Sequence, residues 1–156
     1  RLGKGFLHER STNFSFDEQK TMLTLWCMFR SPLMIGAELP LLDKPTLELL
    51  TNPKVLYMVT DCHGARLVTR DSEHAVWTCS DNHSDDRFMA LFNLSEQEKM
   101  IEASLQDLGI LKVSALEDLW ECRAAEALQI RKMTDESPVI SAVVPAHGVV
   151  LYRVKV

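Results

Sequence analysis

The sequence predicts a mainly β protein with an α/β segment at its start, in which a helix–strand–helix unit is followed by an antiparallel β-sandwich. Two observations predict this fold. About the first 60 residues carry apolar side chains at helical spacing on both sides of a short, wholly apolar run. From Ala65 onward the apolar residues form short runs separated by turn-forming residues, a pattern typical of antiparallel sheets.

The first predicted helix begins at Ser15. Ser15 and Glu18 have the spacing of a capping box, in which each side chain accepts a hydrogen bond from the backbone N–H of the other residue. Apolar residues then recur at three- and four-residue intervals: Met22, Leu25, Trp26 and Phe29. Pro32 is expected to end the helix because it lacks a backbone N–H.

A strand and two further helices are expected next. Residues 33–35, Leu-Met-Ile, form a continuous apolar run typical of a strand that is covered on both faces in a parallel sheet. Asp43 is placed to cap a second helix with Pro45 in its first turn, and residues 55–59 indicate a further helical turn. A parallel strand needs parallel neighbours, and the chain supplies none. Residues 1–62 are therefore interpreted as the last elements of a barrel or a doubly wound sheet whose earlier units lie upstream.

Seven strand-like runs follow, at residues 66–70, 75–79, 88–92, 100–105, 115–120, 139–144 and 149–156. Turn-forming residues separate them, notably at positions 80–86 and 107–109. Short strands with short connections predict an antiparallel sandwich over residues 63–156.

Composition and charge exclude some function classes. The 156 residues are 46% hydrophobic and 25% charged, which suits one folded domain, or one domain plus a fragment of another. A net charge of −5 without a Lys/Arg cluster argues against a nucleic-acid partner. No apolar run reaches the ~18 residues of a membrane span, so no membrane partner is expected. The start at Arg1, without an initiator Met or a signal-like apolar core, suggests a piece of a longer protein.

The four cysteines are widely spaced and form no CxxC pair: Cys27, Cys62, Cys79 and Cys122. Because Cys27 lies in the predicted helix and Cys79 in a predicted strand, all four are expected to be buried thiols rather than a disulfide framework. Free thiols favour a reducing compartment such as the cytoplasm, and the sequence says nothing more about location.

Several short motifs occur in an order and spacing that resemble one known family. Residues 16–39 read FDEQKTMLTLWCMFRSPLMIGAEL and residues 47–52 read LELLTN; ALFN, DLWE and PAHGVVL follow at positions 90–93, 118–121 and 145–151. They resemble the family 27 glycoside hydrolases, the α-galactosidases (melibiases) and α-N-acetylgalactosaminidases. The resemblance implies that residues 1–62 are the last elements of a (β/α)8 catalytic barrel and that residues 63–156 are its C-terminal β-sandwich.

One segment departs from the family pattern. Residues 55–64 occupy the place of the family's VIAINQDPLG, but within its last six positions only Asp61 and Gly64 remain. This corner of the barrel is therefore expected to be built differently.

The resemblance also implies chemistry that the chain does not carry. A retaining glycosidase uses two carboxylates about 5–5.5 Å apart. In this family both are aspartates on earlier barrel strands, and a substrate-gripping Asp–Met pair would also precede Arg1. No catalytic, substrate-binding or metal residue is therefore assigned, and no cofactor. The expected partners are the upstream barrel of the same protein, an α-galactoside-containing carbohydrate bound by that parent enzyme, and a second copy of the chain.

Single residues allow sharper hypotheses, each with a structural alternative. Glu38 follows the apolar run at the strand end where barrel active sites collect, so it could contact the sugar or an upstream loop; a solvated rim residue is the alternative. Asp17 and Glu18 are interpreted as favourable charge at a helix N-terminus, since adjacent helical residues point apart. His147 is expected to be a hydrogen-bonding turn residue.

The remaining candidates concern metals and sugars. Cys62 and His63 lack further metal ligands, and the acidic loop at residues 81–86 lacks the spacing of a Ca²⁺ loop, so a solvated hairpin is expected there. Trp77 and Trp120 are expected to be core residues. Exposure of either indole would favour the first alternative function, a carbohydrate-binding module. The second alternative is a purely structural or oligomerising β-domain.

Overall fold

The structure is a computed structural model that describes residues 12–32, 36, 39–124, 130–131 and 138–156. Its helices are α1 (Phe16–Met28), α2 (Lys44–Leu50) and α3 (Pro53–Asp61), with a short 3-10 turn at Leu39–Leu41. Its strands are β1 (Cys62–Arg70), β2 (His74–Asp81), β3 (Arg87–Asn93), β4 (Lys99–Ser104), β5 (Ala115–Asp118), β6 (Arg123–Ala124), β7 (Ile130–Arg131), β8 (Val139–Val144) and β9 (Val149–Lys155). Within these residues no helix is both long and apolar enough to cross a membrane.

Each of the three helices begins at a capping side chain, and two of these caps, Ser15 and Asp43, were predicted from the sequence. The predicted capping box of α1 is confirmed: Ser15 Oγ accepts from the Glu18 backbone N–H at 3.2 Å, and Glu18 Oε2 accepts from Ser15 N at 2.7 Å. Asp43 caps α2 by accepting from Thr46 N at 3.0 Å. Asn52 caps α3 in the same way. The apolar run at 33–35, predicted as a parallel strand, and the neighbouring Glu38 lie outside the described residues.

The strands form two antiparallel sheets. One has six strands in the order β1-β2-β3-β9-β5-β6, and the other has three in the order β4-β8-β7. All seven predicted runs are strands, whereas β6 and β7 were not predicted, because two residues are too short to show a periodicity. The run predicted to extend to Trp120 ends at Asp118, whose carboxylate accepts from the backbone N–H groups of Trp120 and Glu121 at 3.1 and 3.0 Å and turns the chain.

The six-stranded sheet separates two hydrophobic cores, because both of its faces are covered. Met89 and Leu91 on β3 point into the core shared with the three-stranded sheet. Their neighbours Phe88, Ala90 and Phe92 point to the opposite face, where α1 and α3 cover the sheet. The alternation follows from the two-residue period of a strand. The protein is therefore a β-sandwich with a layer of helices on the outer face of its larger sheet.

The expectation that all four thiols are buried is wrong for one of them. All four cysteines are free, and Cys27, Cys62 and Cys79 are buried as predicted, but Cys122 is exposed. Cys122 lies in the turn after β5 with a φ of 53°, so the left-handed backbone of this turn places it at the surface.

Candidate functional site

The helix α1 carries two apolar faces, and only one of them is buried on the sandwich. Four buried residues face the sheet: Leu23, Thr24, Cys27 and Met28. The residues that the sequence singled out, Met22, Leu25, Trp26 and Phe29, have the spacing i, i+3, i+4 and i+7 of a second face. Phe29 is 48% exposed, and the other three are half-buried. The helix is therefore shaped to contact something on both sides.

Polar contacts fasten the buried face of α1 to the sandwich. Trp120 Nε1 donates to Thr24 Oγ1 at 2.9 Å, and Thr21 Oγ1 donates to the backbone oxygen of His147 at 2.9 Å. Lys20 Nζ lies 3.6 Å from Glu121 Oε1. These contacts join the helix to two turns of the sandwich, so the position of α1 is set by hydrogen bonds as well as by packing.

The second face of α1 continues onto the edge of the six-stranded sheet. The Phe29 and Trp77 rings meet edge to face with centroids 4.7 Å apart. Leu67 pairs with Trp77 across β1 and β2, so both side chains lie on the same side of the sheet. Leu67 is 43% exposed. We call the surface formed by Met22, Trp26, Phe29, Leu67 and Trp77 the outer apolar face.

The two tryptophans that were expected in the sandwich core are half-buried instead. Trp77 and Trp120 pack against the core between the sheet and the helices, and not between the two sheets. They lie on this side because the alternation of β2 and the turn after β5 place them toward α1. Trp120 contacts α1 through Thr24, and Trp77 contacts Phe29, the residue that follows α1.

The acidic loop at residues 81–86 forms the expected β2–β3 hairpin and is exposed at residues 82–85, but ion pairs with Arg153 hold its two ends, Asp81 and Asp86. Arg153 on β9 donates from Nη2 to Asp81 Oδ2 at 2.9 Å and from Nε to Asp86 Oδ2 at 2.8 Å. Tyr57 OH donates to Asp81 Oδ1 at 2.8 Å, and Ser84 Oγ donates to Asp81 Oδ2 at 2.6 Å. Burial raises the pKa of Asp81, but these hydrogen bonds and the Arg153 charge outweigh it and bring that pKa below its ordinary value. Asp81 is thus an ionised, buried anchor.

A cleft of about 240 Å³ lies beside this network. It is lined by Pro53, Lys54, Tyr57, Phe88, Glu117, Leu119 and Arg153. Lys54 forms an ion pair with Glu117, and Lys155 Nζ approaches the same carboxylate at 3.7 Å. The hydrogen bond from Lys54 lowers the pKa of Glu117. Glu117 is the single carboxylate among these lining residues, so the cleft does not hold the pair of carboxylates that acid–base hydrolysis of a glycoside requires.

The other candidates have local structural partners. Glu18 serves the capping box described above, which confirms its interpretation as a helix N-terminal residue. His147 lies in a turn with a φ of 54°, and its Nε2 lies 3.0 Å from Glu96 Oε2, so it is a hydrogen-bonding turn residue as predicted. His63 Nδ1 lies 2.6 Å from Asn82 Oδ1. Over the described residues no group of three His, Cys, Asp or Glu side chains is arranged to hold a metal ion.

Comparison with known proteins identifies the sandwich. Residues 71–154 match the family described as the alpha galactosidase C-terminal beta sandwich domain. This chain belongs to that family. The matched residues run from the turn before β2 to β9 and include both sheets.

Relatives of this C-terminal β-sandwich domain extend the likeness to nearly the whole chain. A family 27 β-L-arabinopyranosidase from Geobacillus stearothermophilus is 37% identical with a TM-score of 0.83, and the match covers 98% of this chain and 33% of that one. Alpha-galactosidase D of Emericella nidulans is 27% identical over 87% of this chain and 20% of its own length. An α-galactosidase of Saccharomyces mikatae is 26% identical over 92% of this chain and 42% of its own. The chain therefore spans less than half the length of these relatives.

The two residues that match the last six positions of the family segment at 55–64, Asp61 and Gly64, have identifiable structural roles. Gly64 has a φ of 66°, a conformation that favours glycine. Asp61 Oδ1 lies 2.6 Å from His83 Nε2, and its backbone oxygen accepts from Asn82 N at 2.9 Å. Sequence reasoning missed the role of Arg153, since nothing in its local sequence indicates that it reaches the 81–86 loop.

Proposed function

We propose that this chain is the C-terminal portion of a retaining, α-galactosidase-like family 27 glycoside hydrolase. In this proposal residues 1–62 are the last elements of its (β/α)8 barrel and residues 63–156 are its C-terminal sandwich. The parent enzyme cleaves a terminal α-galactoside or a closely related sugar. The chain closes and supports the barrel and contributes no catalytic residue and no cofactor ligand.

The observation that carries this proposal is the outer apolar face. α1 already buries one face on the sandwich, yet Phe29 remains 48% exposed and Leu67 43% exposed on the other side. An exposed apolar surface that spans a helix and a sheet edge is typical of an interface. The occupant we propose is the upstream part of the same polypeptide, because the solved relative with 37% identity is about three times as long as its match to this chain.

A carbohydrate-binding module is the weaker alternative. Such a module would need an indole free to stack on a sugar ring. Trp77 is in contact with Phe29, and Trp120 donates its indole N–H to the buried Thr24. Both indoles are therefore engaged in holding α1, which favours a supporting role.

A chimeric enzyme tests the proposal. The third of the Geobacillus stearothermophilus β-L-arabinopyranosidase that this chain matches is replaced by this chain, and hydrolysis of an aryl β-L-arabinopyranoside is measured. We expect the chimera to fold and to turn over this substrate. Phe29→Asp in the chimera should lower its melting temperature and its activity, because a charge is then buried in the interface.

Leu111→Asp is the matched control, because Leu111 is fully exposed and does not belong to the outer apolar face. It should leave both quantities unchanged. Equal behaviour of the two Asp variants in a folded, active chimera would refute the role of this face. Binding of galacto-oligosaccharides by the chain alone, with quenching of Trp77 fluorescence, would favour the carbohydrate-binding module instead.

A further inference from the structure

Three buried thiols lie together where α1, the junction of α3 with β1, and β2 pack against each other. Cys27 is 1% exposed, Cys62 0% and Cys79 1%, and all three belong to the core between the larger sheet and the helices. Free cysteines are common in cores, where they pack as small apolar side chains, so what distinguishes this group is that its three thiols are close enough to react with one another.

Two of these thiols are direct neighbours. Cys62 pairs with Asp81 across β1 and β2, and Cys79 precedes Asp81 by two residues, so Cys62 and Cys79 lie on the same face of the sheet. Their thiols share a hydrogen bond. Cys62 Sγ also lies 2.9 Å from the backbone oxygen of Met58 at the end of α3. The pairing of β1 with β2 is irregular directly after His63, so the regular ladder of backbone hydrogen bonds is interrupted at this end of β1.

The surroundings give the three sulfur atoms different reactivity. The hydrogen bond from Cys79 lowers the pKa of Cys62, and the positive charge of Arg30 lowers it further. Arg30 is held nearby by a hydrogen bond from its Nε to the backbone oxygen of Val59 at 3.2 Å. Burial and the neighbouring Cys62 raise the pKa of Cys27 to about 11. Of the three thiols, Cys62 is thus the one that forms a thiolate, the reactive form, most readily.

We propose that Cys62 and Cys79 are an oxidation site, at which a small hydroperoxide such as hydrogen peroxide joins β1 to β2 by an intramolecular disulfide. The Cys62 sulfur attacks one peroxide oxygen, the O–O bond breaks, and the leaving hydroxide takes up the thiol proton as water. The Cys79 sulfur then attacks the sulfenic acid, the S–O bond breaks, and a second water leaves. Two thiols are oxidised and one peroxide is reduced to two waters. Hydrogen peroxide is little larger than water, so it can reach these sulfur atoms during local opening of the strand end.

The test is peptide mapping of the whole chain after treatment with hydrogen peroxide under native conditions. The protein is unfolded in an alkylating agent, digested without reduction and analysed by mass spectrometry. We expect a disulfide-linked peptide pair containing Cys62 and Cys79, loss of two of the four titratable thiols, and an alkylated Cys27. Cys122→Ser should give the same pair, because the exposed Cys122 takes no part.

Cys79→Ser should remove the linked pair and leave a sulfenic acid on Cys62 that dimedone traps. Cys79→Ala serves the same purpose if the serine variant fails to fold, as judged by circular dichroism. A Cys27–Cys62 disulfide as the main product, oxidation confined to Cys122, or four unchanged thiols after oxidation would each overturn the proposal. The wild-type mapping alone decides between these outcomes.

Discussion

Trp120 Nε1 donates a hydrogen bond to Thr24 Oγ1 across 2.9 Å and so joins the turn after β5 to the buried face of α1. Thr24 is completely buried, and its hydroxyl donates a hydrogen bond to the backbone oxygen of Lys20 at 2.7 Å. A polar side chain on the buried face of a helix is costly unless it is paired. This contact therefore fixes how α1 is rotated against the sandwich, and hence which of its apolar faces points outward.

Removing that contact should destabilise the protein. Trp120→Ala is expected to lower the free energy of unfolding by about 3 kcal/mol, because it deletes packing and the hydrogen bond together. Thr24→Val keeps the shape and should cost about 1 kcal/mol through the unpaired indole N–H. Urea unfolding followed by circular dichroism measures both. Leu111→Ala, at a fully exposed position, should stay within about 0.5 kcal/mol of wild type; an equal loss there would show that the assay does not report this contact.

The ion pairs of Arg153 should make the stability of the protein depend on pH in the acidic range. Because the folded-state pKa of Asp81 lies below its ordinary value, the stabilisation is present above pH ~3.8 and is lost as the pH falls through the lower folded-state pKa. Arg153→Met leaves Asp81 buried without its cation, so we expect a loss of about 3 kcal/mol at neutral pH. The acid-unfolding midpoint should also move to higher pH.

Arg70→Met, at an exposed position on β1, removes the same charge without touching Asp81. This variant should change neither the free energy of unfolding at neutral pH nor the pH midpoint of acid unfolding appreciably. If both arginine variants behave alike, net charge and not the ion pair explains the effect.

His147 should titrate above its ordinary range. Its hydrogen bond to Glu96 and the charge of that carboxylate raise the pKa of the imidazole. The associated stabilisation is complete below pH ~6.5 and is lost as the pH rises through the higher folded-state pKa. Glu96→Gln should bring the pKa of His147 back toward its ordinary value in an NMR titration, whereas Glu98→Gln, the same charge change two residues away, should leave it raised. An unchanged titration in Glu96→Gln would contradict the assignment of Glu96 as its partner.

Two glycines should respond to alanine for different reasons. Gly64 has a φ of 66° and open space where a Cβ would lie, so Gly64→Ala should cost about 1 kcal/mol through the backbone alone. Gly64→Asn should cost less, since asparagine tolerates this conformation. A Cβ on Gly148 would lie 2.5 Å from Pro145 Cγ, so Gly148→Ala should cost about 2 kcal/mol through overlap. Thermal melting of the three variants checks the order, which fails if asparagine is as costly as alanine at position 64.

The chain alone should hydrolyse no aryl α-galactoside. The proposed function places both catalytic carboxylates upstream, and general acid–base groups contribute large rate factors. The purified chain is compared with an intact family 27 enzyme as positive control. If the chain hydrolyses the substrate and Glu38→Gln abolishes that hydrolysis, Glu38 takes part in the chemistry. The proposal that this chain contributes no catalytic residue would then be wrong.

The local structure of the chain could be predicted from the sequence, because it depends on nearest neighbours. The capping box of Ser15 and Glu18, the cap at Asp43 and all seven strand-like runs depend on residues a few positions apart. The family resemblance was likewise carried by short motifs in a fixed order, and the match at residues 71–154 confirms it.

The tertiary structure decided which apolar residues are buried and which acidic residues form buried ion pairs. The apolar spacing of α1 revealed one face, but contact with the sheet buried the other, around Thr24 and Cys27. Asp81 appeared to be part of a solvated acidic loop, yet it is buried because Arg153, 72 residues away in sequence, folds back over it. Contacts between distant residues of this kind leave no periodic or local signal, since they arise only when β9 is placed beside β3 in the larger sheet.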